Sequence, residues 1–265
     1  MPNVPKSILR NERSHNFYKY HKINSHLFES LINQTLWFSK NSMLNDPFEN
    51  NKPINYGSDE ETIRQHIHIA FGIGFDEKLP TDLELLASKW NNNPKYVEEY
   101  LKKEISTQLG EYGMCCFSEI SNSILMWSHY ANGHRGVCLE FNISIHNLFS
   151  DSTNSHNIYP YKVNYPEPNT YQELFDPSIP IDESLIGYLL TKSHDWNYEK
   201  ELRIFGQTGN RKFNKNCLSA IIFGCNVDKN QKQTIINLCS NAYPNISYIQ
   251  MEIDNLDYKL NPRRL

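Results

Sequence analysis

The chain has 265 residues and a mass of 31.1 kDa, which suffices for one large domain with a full hydrophobic core. Hydrophobic residues make up 39% and charged residues 21% of the sequence, a balance that excludes a disordered, fibrous or disulfide-stapled chain. The net charge is −4 and no long basic block occurs, so the composition does not indicate a basic surface that binds a nucleic-acid backbone.

Neither a signal peptide nor a membrane span is visible in the sequence. The start, MPNVPKSILRNERSHN, is polar, and no stretch approaches the roughly 20 apolar residues that cross a bilayer. Six cysteines lie mostly in strand-like runs, and none forms the C-x-x-C spacing of a zinc site. We therefore expect a cytoplasmic protein with buried reduced thiols and no membrane attachment.

The first 50 residues predict a strand, a helix and a second strand. FYKY is the first strand, the apolar residues from Ile23 to Leu31 recur at helical spacing, and LWFSK alternates as a strand does. NDPFEN follows as a turn, because Pro47 fixes its own φ and biases Asp46 away from helix.

Residues 60–110 predict a helical insertion. Apolar residues recur at three and four positions from Tyr96 to Leu109, Pro94 suits a first helical turn and Gly110 suits a C-terminal stop. We expect this insertion to serve as scaffold or lid.

After Gly113 the pattern changes to strands with short connections. MCCFSE and GVCLEF are predicted strands that flank a short helix, Ser123 to Tyr130, with Asn122 or Ser123 as its cap. The polar loop SDSTNSHN leads to strand YKVNY, a proline-rich stretch from Pro166 to Pro180, and a helix from Ser184 to about Lys192. ELRIF, CLSAIIFG and ISYIQMEI are three further strands, and a helix from about Lys229 to Cys239 separates the last two.

These elements predict one α+β domain over residues 1–265. Its sheet is expected to be mixed and largely antiparallel, with residues 60–110 as a helical insertion, because no internal repeat or linker divides the chain.

Polar residues among aromatic ones concentrate in three blocks, which are the candidate functional segments because unpaired polar groups gain nothing from burial. In the block CFSEISNSILMWSHYANGHRGVCLEF, His129 and His134 are placed to converge on one pocket, and Arg135 offers a fork for a phosphate or carboxylate. The alternatives are a histidine bonded to a backbone carbonyl beside a packed Trp127, and a surface arginine. Glu119 and Tyr130 complete the candidate residues of this block.

The block TKSHDWNYEKELRIF carries two glutamates, Glu199 and Glu201, two positions apart at the head of a strand. In a regular strand their side chains share one face, and Arg203 continues the row. Trp196 and Tyr198 place aromatic walls beside these acids, as a pocket for a flat ring and a ribose requires. The alternative is a solvated strand face whose Glu–Arg pair contributes little energy.

The remaining block joins FYKY to LWFSKNSMLNDPFE. Asn45 and Asp46 are candidate substrate-binding residues, with a capped turn that includes Glu49 as the alternative. Tyr18 and Tyr20 share one face of their strand, where they either line a pocket or pack.

Taken in order, these motifs resemble the domain-of-unknown-function family 2971 of bacteria and their phages. The resemblance rests on Y-K-Y, L-W-F-S, L-N-D-P-F-E, C-F-S-E, M-W-S-H-Y, H-R-G-V-C-L-E-F and K-S-H-D-W-N-Y-E-K-E-L-R-I, and runs from about Tyr18 to Gly224. It names a family without assigning a function.

A looser resemblance, carried by Y-x-Y on the first strand, the aromatic helix and the late E-x-E, is to the ADP-ribosyltransferase fold. It implies NAD as a substrate, with Tyr18 or Tyr20 holding the nicotinamide-ribose and Tyr130 or Trp127 stacking on the nicotinamide. It further implies that Glu201 grips a ribose hydroxyl and that Glu199 activates the acceptor. His129 is the third candidate catalytic residue.

The resulting expectation is an ADP-ribosyltransferase or NAD glycohydrolase that acts on a macromolecular acceptor, protein or nucleic acid, or on water. The bacterial and phage setting of the resembled family implies a toxin or antiphage effector. A second hypothesis is a metal-assisted hydrolase or nuclease that uses His129, His134, Asp46 and the glutamates. A third is a module that senses a nucleotide without catalysis.

Overall fold

A computed structural model describes residues 16–49, 52, 56, 59–110, 112–143, 148–149, 160–167 and 181–265. The strands within these ranges are β1 (Asn16–His21), β2 (Thr35–Lys40), β3 (Tyr112–Ser118), β4 (Val137–Asn142), β5 (Tyr161–Lys162), β6 (Glu201–Gln207), β7 (Gly209–Lys212), β8 (Leu218–Phe223), β9 (Ser247–Ile253) and β10 (Leu260–Arg264). The helices are α1 (Ser25–Asn33), α2 (Glu60–Phe71), α3 (Thr81–Ser88), α4 (Pro94–Gly110), α5 (Ile124–Tyr130), α6 (Ile181–Leu189) and α7 (Lys229–Ala242). Short 3-10 turns occupy Asn41–Met43, His194–Glu199 and Lys215–Cys217.

The strands form one sheet in the order β10-β9-β8-β4-β1-β3-β2-β7, and β6 pairs with β3 and with β5. All of these pairings are antiparallel except the one between β8 and β9, which the crossover helix α7 connects in parallel. The predicted α+β class with a mixed, largely antiparallel sheet is therefore confirmed.

Strand β3 changes its neighbour along one edge. Strand β6 occupies one side of β3 over its full length, from Tyr112 to Ser118. On the other side, β1 pairs with β3 only at Ser118, whereas β2 pairs at Gly113 and Met114. The sheet therefore opens between β1 and β2 opposite the middle of β3.

The main hydrophobic core lies between the sheet and helices α1 and α7. Alternate residues of β4, such as Leu139 and Phe141, meet Leu27 of α1 and Ile235 of α7. On the opposite face of the sheet, α5 packs its Trp127 against a smaller cluster that includes Cys138 and Ile222. The sheet thus has helices on both faces, with α5 on the side towards which Tyr20 points.

The predicted helical insertion contains three helices. In α4 the predicted periodicity is confirmed for Val97, Leu101, Ile105 and Leu109, which are buried, whereas Tyr96 and Tyr100 are 43% and 40% exposed. The helix begins at Pro94 and ends at Gly110, as predicted. Helices α2 to α4 share a core cluster with Met114 of β3 and with Tyr188 and Leu189 at the end of α6, so they are packed directly onto the sheet region.

Several boundaries differ from the sequence prediction. The helix predicted to reach Lys192 ends at Leu189, while β7 and β10 were not predicted at all. Ser123 is the cap of α5, because its Oγ accepts a hydrogen bond from the Met126 amide at 3.3 Å. The predicted loop at 150–157 and residues 168–180 of the proline-rich stretch lie outside the described residues.

The six cysteines are free thiols, four of them buried and two half-buried. None of the described helices combines the length and the apolar composition that crossing a membrane requires.

Candidate functional site

A cavity of about 200 Å³ lies where the sheet opens beside β3. Its walls come from β1, β2, β3, β6, the turn after β2, and the end of α5. Seven of the residues predicted for the site line it: Tyr18, Tyr20, Asn45, Tyr130, Glu199, Glu201 and Arg203. The cavity also contains Lys19, whose Nζ donates to the Cys116 carbonyl at 2.8 Å across the gap between β1 and β3.

Glu199 and Glu201 meet at one ammonium group. The Nζ of Lys192 lies 2.5 Å from Glu199 Oε2 and 3.3 Å from Glu201 Oε2. The two side chains come together as predicted, but a regular strand is not the reason. Glu199 ends a 3-10 turn, and Lys200 then adopts a left-handed conformation with φ of 45° before β6 begins at Glu201.

Arg203 continues the row, as predicted, and joins Glu201 to Glu49. Its guanidinium is completely buried and binds Glu201 in a fork, with Nε 2.9 Å from Oε1 and Nη2 3.0 Å from Oε2. Its Nη1 also lies 3.1 Å from Glu49 Oε2 and donates to the Leu189 carbonyl. Glu49, predicted to belong to a capped turn, is therefore also the second carboxylate of a buried ion network.

The network balances its charges. Lys52 forms the outer cation, 3.2 Å from Glu49 Oε2 and 2.5 Å from the Tyr188 carbonyl oxygen. Three carboxylates, Glu49, Glu199 and Glu201, thus face three cations, Lys52, Lys192 and Arg203, and all six side chains are at most 9% exposed. A buried network of this kind persists only because each charge has a partner.

The environments of the two paired glutamates shift their pKa values in opposite directions. Burial raises the pKa of Glu199, and its contacts with Lys192 and Tyr130 only partly oppose that effect. Burial acts on Glu201 in the same sense, but the Arg203 guanidinium and the Lys192 ammonium lower its pKa to about 2. Glu201 is therefore ionised at neutral pH, and Glu199 is the carboxylate that binds a proton more readily.

Tyr130 links this pair to the mouth of the cavity. Its hydroxyl donates to Glu199 Oε1 and accepts a hydrogen bond from Asn45 Nδ2 at 2.6 Å. Burial and the neighbouring Glu199 carboxylate raise the pKa of Tyr130, so the phenol stays protonated and remains a donor.

Tyr18 and Tyr20 lie on the same face of β1, as predicted, and both line the cavity. The Tyr20 hydroxyl donates to the Ile120 carbonyl at 3.0 Å, and its ring meets Trp127 edge to face at a centroid distance of 5.2 Å. Trp127 is fully buried behind Tyr20, and its indole N–H donates to the Ser121 carbonyl at 2.8 Å. Trp127 therefore supports the cavity wall without lining the cavity.

The two predicted histidines do not meet in this cavity. His129 is exposed, with its ring 6.0 Å from that of Tyr198. His134 has a φ of 65°, its Nε2 lies 3.1 Å from Ser128 Oγ, and it lines a separate cavity near the β9–β10 hairpin. Arg135 is exposed.

Three other predicted residues lie around the cavity and do not line it. Asp46 Oδ1 accepts from the Phe48 amide at 2.9 Å, which is the turn geometry that was the alternative reading of this residue. Glu119 pairs with Lys162 at 2.5 Å. Trp196 covers the Lys192 ammonium, which lies 4.6 Å from the ring centroid.

Lys192 and Lys52 are the charged network residues that the sequence prediction missed. Neither belongs to a pattern that distinguishes a buried lysine from a surface one. A signal present in the sequence was the excess of five glutamates over two arginines in the motif blocks, since buried carboxylates require cations.

Within the described part of the chain, no group of three or more His, Cys, Asp or Glu side chains is arranged to hold a metal ion. The three clustered glutamates are instead paired with lysine and arginine. The other candidate metal ligands do not converge: the His129 ring lies near Tyr198, His134 contacts Ser128, and Asp46 accepts from the Phe48 amide.

Comparison with known proteins gives one match. No curated protein and no solved structure matches the chain significantly. Residues 126–204 match the model of the family described as "Protein of unknown function (DUF2971)". This segment carries Tyr130, Lys192, Glu199, Glu201 and Arg203, so the match confirms the predicted resemblance to that family over the part of the chain that supplies most of the ion network.

Proposed function

We propose that the protein binds NAD in this cavity and breaks the bond between nicotinamide and ribose, transferring ADP-ribose to an acceptor or to water. The observation that carries the proposal is the placement of Glu199 and Glu201 side by side on a cavity wall, opposite the tyrosines of the first strand. The cavity of about 200 Å³ is smaller than the roughly 300–1,000 Å³ of typical ligand pockets, so it would hold the nicotinamide and its ribose while the rest of NAD extends outside it.

The role of Glu201 follows from its charge. Breaking the glycosidic bond builds positive charge on the ribose, so an ionised carboxylate bonded to a ribose hydroxyl stabilises the transition state more than the ground state. Arg203 and Lys192 keep Glu201 ionised at neutral pH and leave it little freedom to move. A carboxylate that is already oriented loses little free energy to reorganisation during the reaction.

The role of Glu199 follows from its higher proton affinity. When the hydroxyl of an acceptor or of water attacks the ribose carbon, nicotinamide leaves with the bonding electron pair and the hydroxyl proton must be accepted. Burial raises the pKa of Glu199 and makes it the stronger base of the two. Two neighbouring carboxyl groups with separated pKa values suit a division between electrostatic stabiliser and general base.

Tyr130 is the aromatic residue that suits the nicotinamide ring better than Trp127. Tyr130 lines the cavity, whereas Trp127 is fully buried behind Tyr20. The bond from Tyr130 to Glu199 also couples ring binding to the proposed base. If the acceptor is a macromolecule, the activity is that of a toxin or antiphage effector, as the resemblance implied.

A second candidate function is a nucleotide-binding module without turnover. The observation that favours it is the charge balance of the network, in which every carboxylate already has a cationic partner. In such a module the network would serve only to shape the cavity.

The two functions differ in whether NAD is consumed. Purified protein incubated with NAD, with and without a chelator, is expected to release nicotinamide and to yield ADP-ribose, free or attached to an acceptor, equally in both incubations. Binding of NAD without release of nicotinamide would contradict the enzyme and support the module. Release that the chelator abolishes would favour the metal-assisted hydrolase.

A further inference from the structure

Lys192 occupies a singular position in the ion network, because its ammonium is the group that contacts both paired glutamates. The residue follows α6, and its amide donates to the Asn164 carbonyl at 3.0 Å, which fixes the backbone where the side chain enters the cavity wall. The Nζ lies between Glu199 Oε2 and Glu201 Oε2, and the ring of Trp196 covers it. The side chain is only 3% exposed.

We propose that Lys192 is a positioning residue of the candidate active site: its ammonium holds the Glu199 and Glu201 side chains next to each other and keeps both carboxylates ionised, so that Glu199 is free to accept a proton. This inference rests on the proposed function and deepens it. Lys192 is also part of the cavity lining, but the role proposed for it is exerted through the two glutamates.

The first support is what the pair would do without the ammonium. Two buried carboxylates at close range cannot both stay ionised, so one takes up a proton and the two share it. With the side chains of Glu199 and Glu201 only 4% and 6% exposed, water has little access to screen their repulsion. Loss of Lys192 would therefore convert two distinct carboxyl groups into a proton-sharing pair.

The second support is that no other cation among the described residues is placed to substitute for it. Arg203 is already engaged by Glu201, Glu49 and the Leu189 carbonyl, and it does not reach Glu199. Lys52 is paired with Glu49 at the far end of the network. Lys19 lines the same cavity, but its Nζ is bound to the Cys116 carbonyl at 2.8 Å. The other titratable groups that face the two glutamates are neutral: Tyr130, Tyr165, Tyr198 and Cys116.

The third support is the cover that Trp196 provides. The face of an indole ring attracts an ammonium, and the shielding from water strengthens that attraction. Trp196 thus holds Lys192 in a place from which a flexible lysine side chain would otherwise escape to solvent.

The test measures the protonation of the glutamates directly. Protein with carbon-13 at the glutamate carboxyl carbons is titrated by NMR, with Glu199→Gln and Glu201→Gln used for assignment. Lys192→Met is expected to move the titration of one glutamate of the pair to higher pH, while Lys192→Arg, which retains the charge, keeps it near the wild-type position. Lys200→Met, which removes an exposed lysine bonded to Asn197, is the matched control and leaves the titration unchanged.

Lys192→Met leaves the network with one excess negative charge, which opposes folding. If this variant does not fold, Lys192→Met combined with Glu199→Gln restores the balance, and recovery of the melting temperature in the double variant supports the proposal. Wild-type titration curves in Lys192→Met, or a double variant no more stable than the single one, would overturn it.

The pH dependence of nicotinamide release gives the second readout. Lys192→Met is expected to shift the acid limb of the rate profile to higher pH, and Lys192→Arg to restore it largely. A shifted carboxyl titration in a protein that releases no nicotinamide would support the role of Lys192 and contradict the proposed function, so the two failures are distinguishable.

Discussion

Arg203 is the charged residue of the site that connects three parts of the fold. Its guanidinium is completely buried and joins β6 to the turn after β2 and to the end of α6, through Glu201, Glu49 and the Leu189 carbonyl. A forked arginine of this kind fixes both carboxylates in plane and direction. The position of Glu201 in the cavity wall therefore depends on Arg203.

Replacement of Arg203 by Met tests this dependence. The variant leaves Glu49 and Glu201 buried with only lysine partners, so we expect the free energy of unfolding to fall by roughly 3–5 kcal/mol. Arg263→Met, at an exposed pair with Glu252, is the control and should change it by less than about 1 kcal/mol. Equal effects of the two substitutions in urea unfolding would contradict a structural role for Arg203.

The lowered pKa of Glu201 predicts that the free energy of unfolding depends on pH. Its pKa of about 2 in the folded protein lies below the ordinary value of 4.5, so the ionised carboxylate stabilises the fold fully above about pH 4.5 and loses this contribution as the pH falls towards 2. The contribution is on the order of 3 kcal/mol. The difference in unfolding free energy between wild type and Glu201→Gln should therefore narrow between pH 5 and pH 2, and a constant difference would argue against it.

The variant His129→Ala distinguishes a role of this residue in activity from a role in folding. The side chain is exposed and its ring contacts are with Tyr130 and Tyr198, so His129→Ala should lower the melting temperature only slightly. The sequence analysis named His129 as a candidate catalytic residue although it does not line the cavity, and that assignment predicts loss of nicotinamide release in the same variant. A large drop in melting temperature would instead show that the residue is structural.

At the residue scale, the sequence allowed the prediction of charge pairs that are close along the chain. Glu199, Glu201 and Arg203 were predicted to line up on one strand face; the two-residue spacing accounts for Glu201 and Arg203 on β6, whereas Glu199 reaches Glu201 from a 3-10 turn. Lys192 and Lys52 were not predicted, because their partners come from tertiary structure that no local pattern reports. The convergence predicted for His129 and His134 depended on a return loop whose left-handed residues, from Asn132 to His134, turn His134 towards Ser128.

At the scale of elements, the cavity forms where one edge of β3 pairs with β1 at one end and with β2 at the other.

The chain that returns from α5 into β4 passes close to β1, and the closest approach is at Gly136. A Cβ at Gly136 would lie 2.2 Å from the His21 carbonyl oxygen, nearer than any real Cβ contact, so the backbone there must move for any other residue.

Gly136→Ala is therefore expected to destabilise the fold. Its methyl group meets backbone atoms of His21 and Ala131 that cannot move independently. We expect a loss of several kcal/mol in unfolding free energy, the range found for substitutions that strain a packed backbone. Gly110→Ala, at the end of α4 where a Cβ meets open space, is the control and should leave the melting temperature nearly unchanged. Similar melting temperatures for the two variants would contradict the close approach.

The strands that the sequence revealed are those with a buried face. The nearly continuous apolar runs of β4 and β8 reflect burial of one face against α1 and α7 and of the other against α5. Strands β7 (GNRK) and β10 (LNPRR) lie at the ends of the sheet path, carry mostly polar or charged residues, and so lack the alternation that makes a strand recognisable.

At the scale of the whole molecule, motifs far apart in the chain meet in one place. Residues from the turn after β2, from α5, from the segment after α6 and from the head of β6 form one buried network beside one cavity. The sequence allowed the prediction that these blocks carry function, because each keeps polar residues among aromatic ones. It did not show which of them line the cavity, because the fold buries Trp127 behind Tyr20 and leaves His129 at the surface.

We propose that the cavity beside β3 cleaves NAD through its glutamate pair. The most direct measurement is the rate of nicotinamide release from NAD by wild type, Glu201→Gln and Glu252→Gln, where Glu252 is a half-exposed carboxylate on β9 that pairs with Arg263. We expect the wild type and Glu252→Gln to release nicotinamide at equal rates, and a folded Glu201→Gln variant to release none. Equal release by all three proteins would remove Glu201 from the mechanism, and no release by the wild type would contradict the claim as a whole.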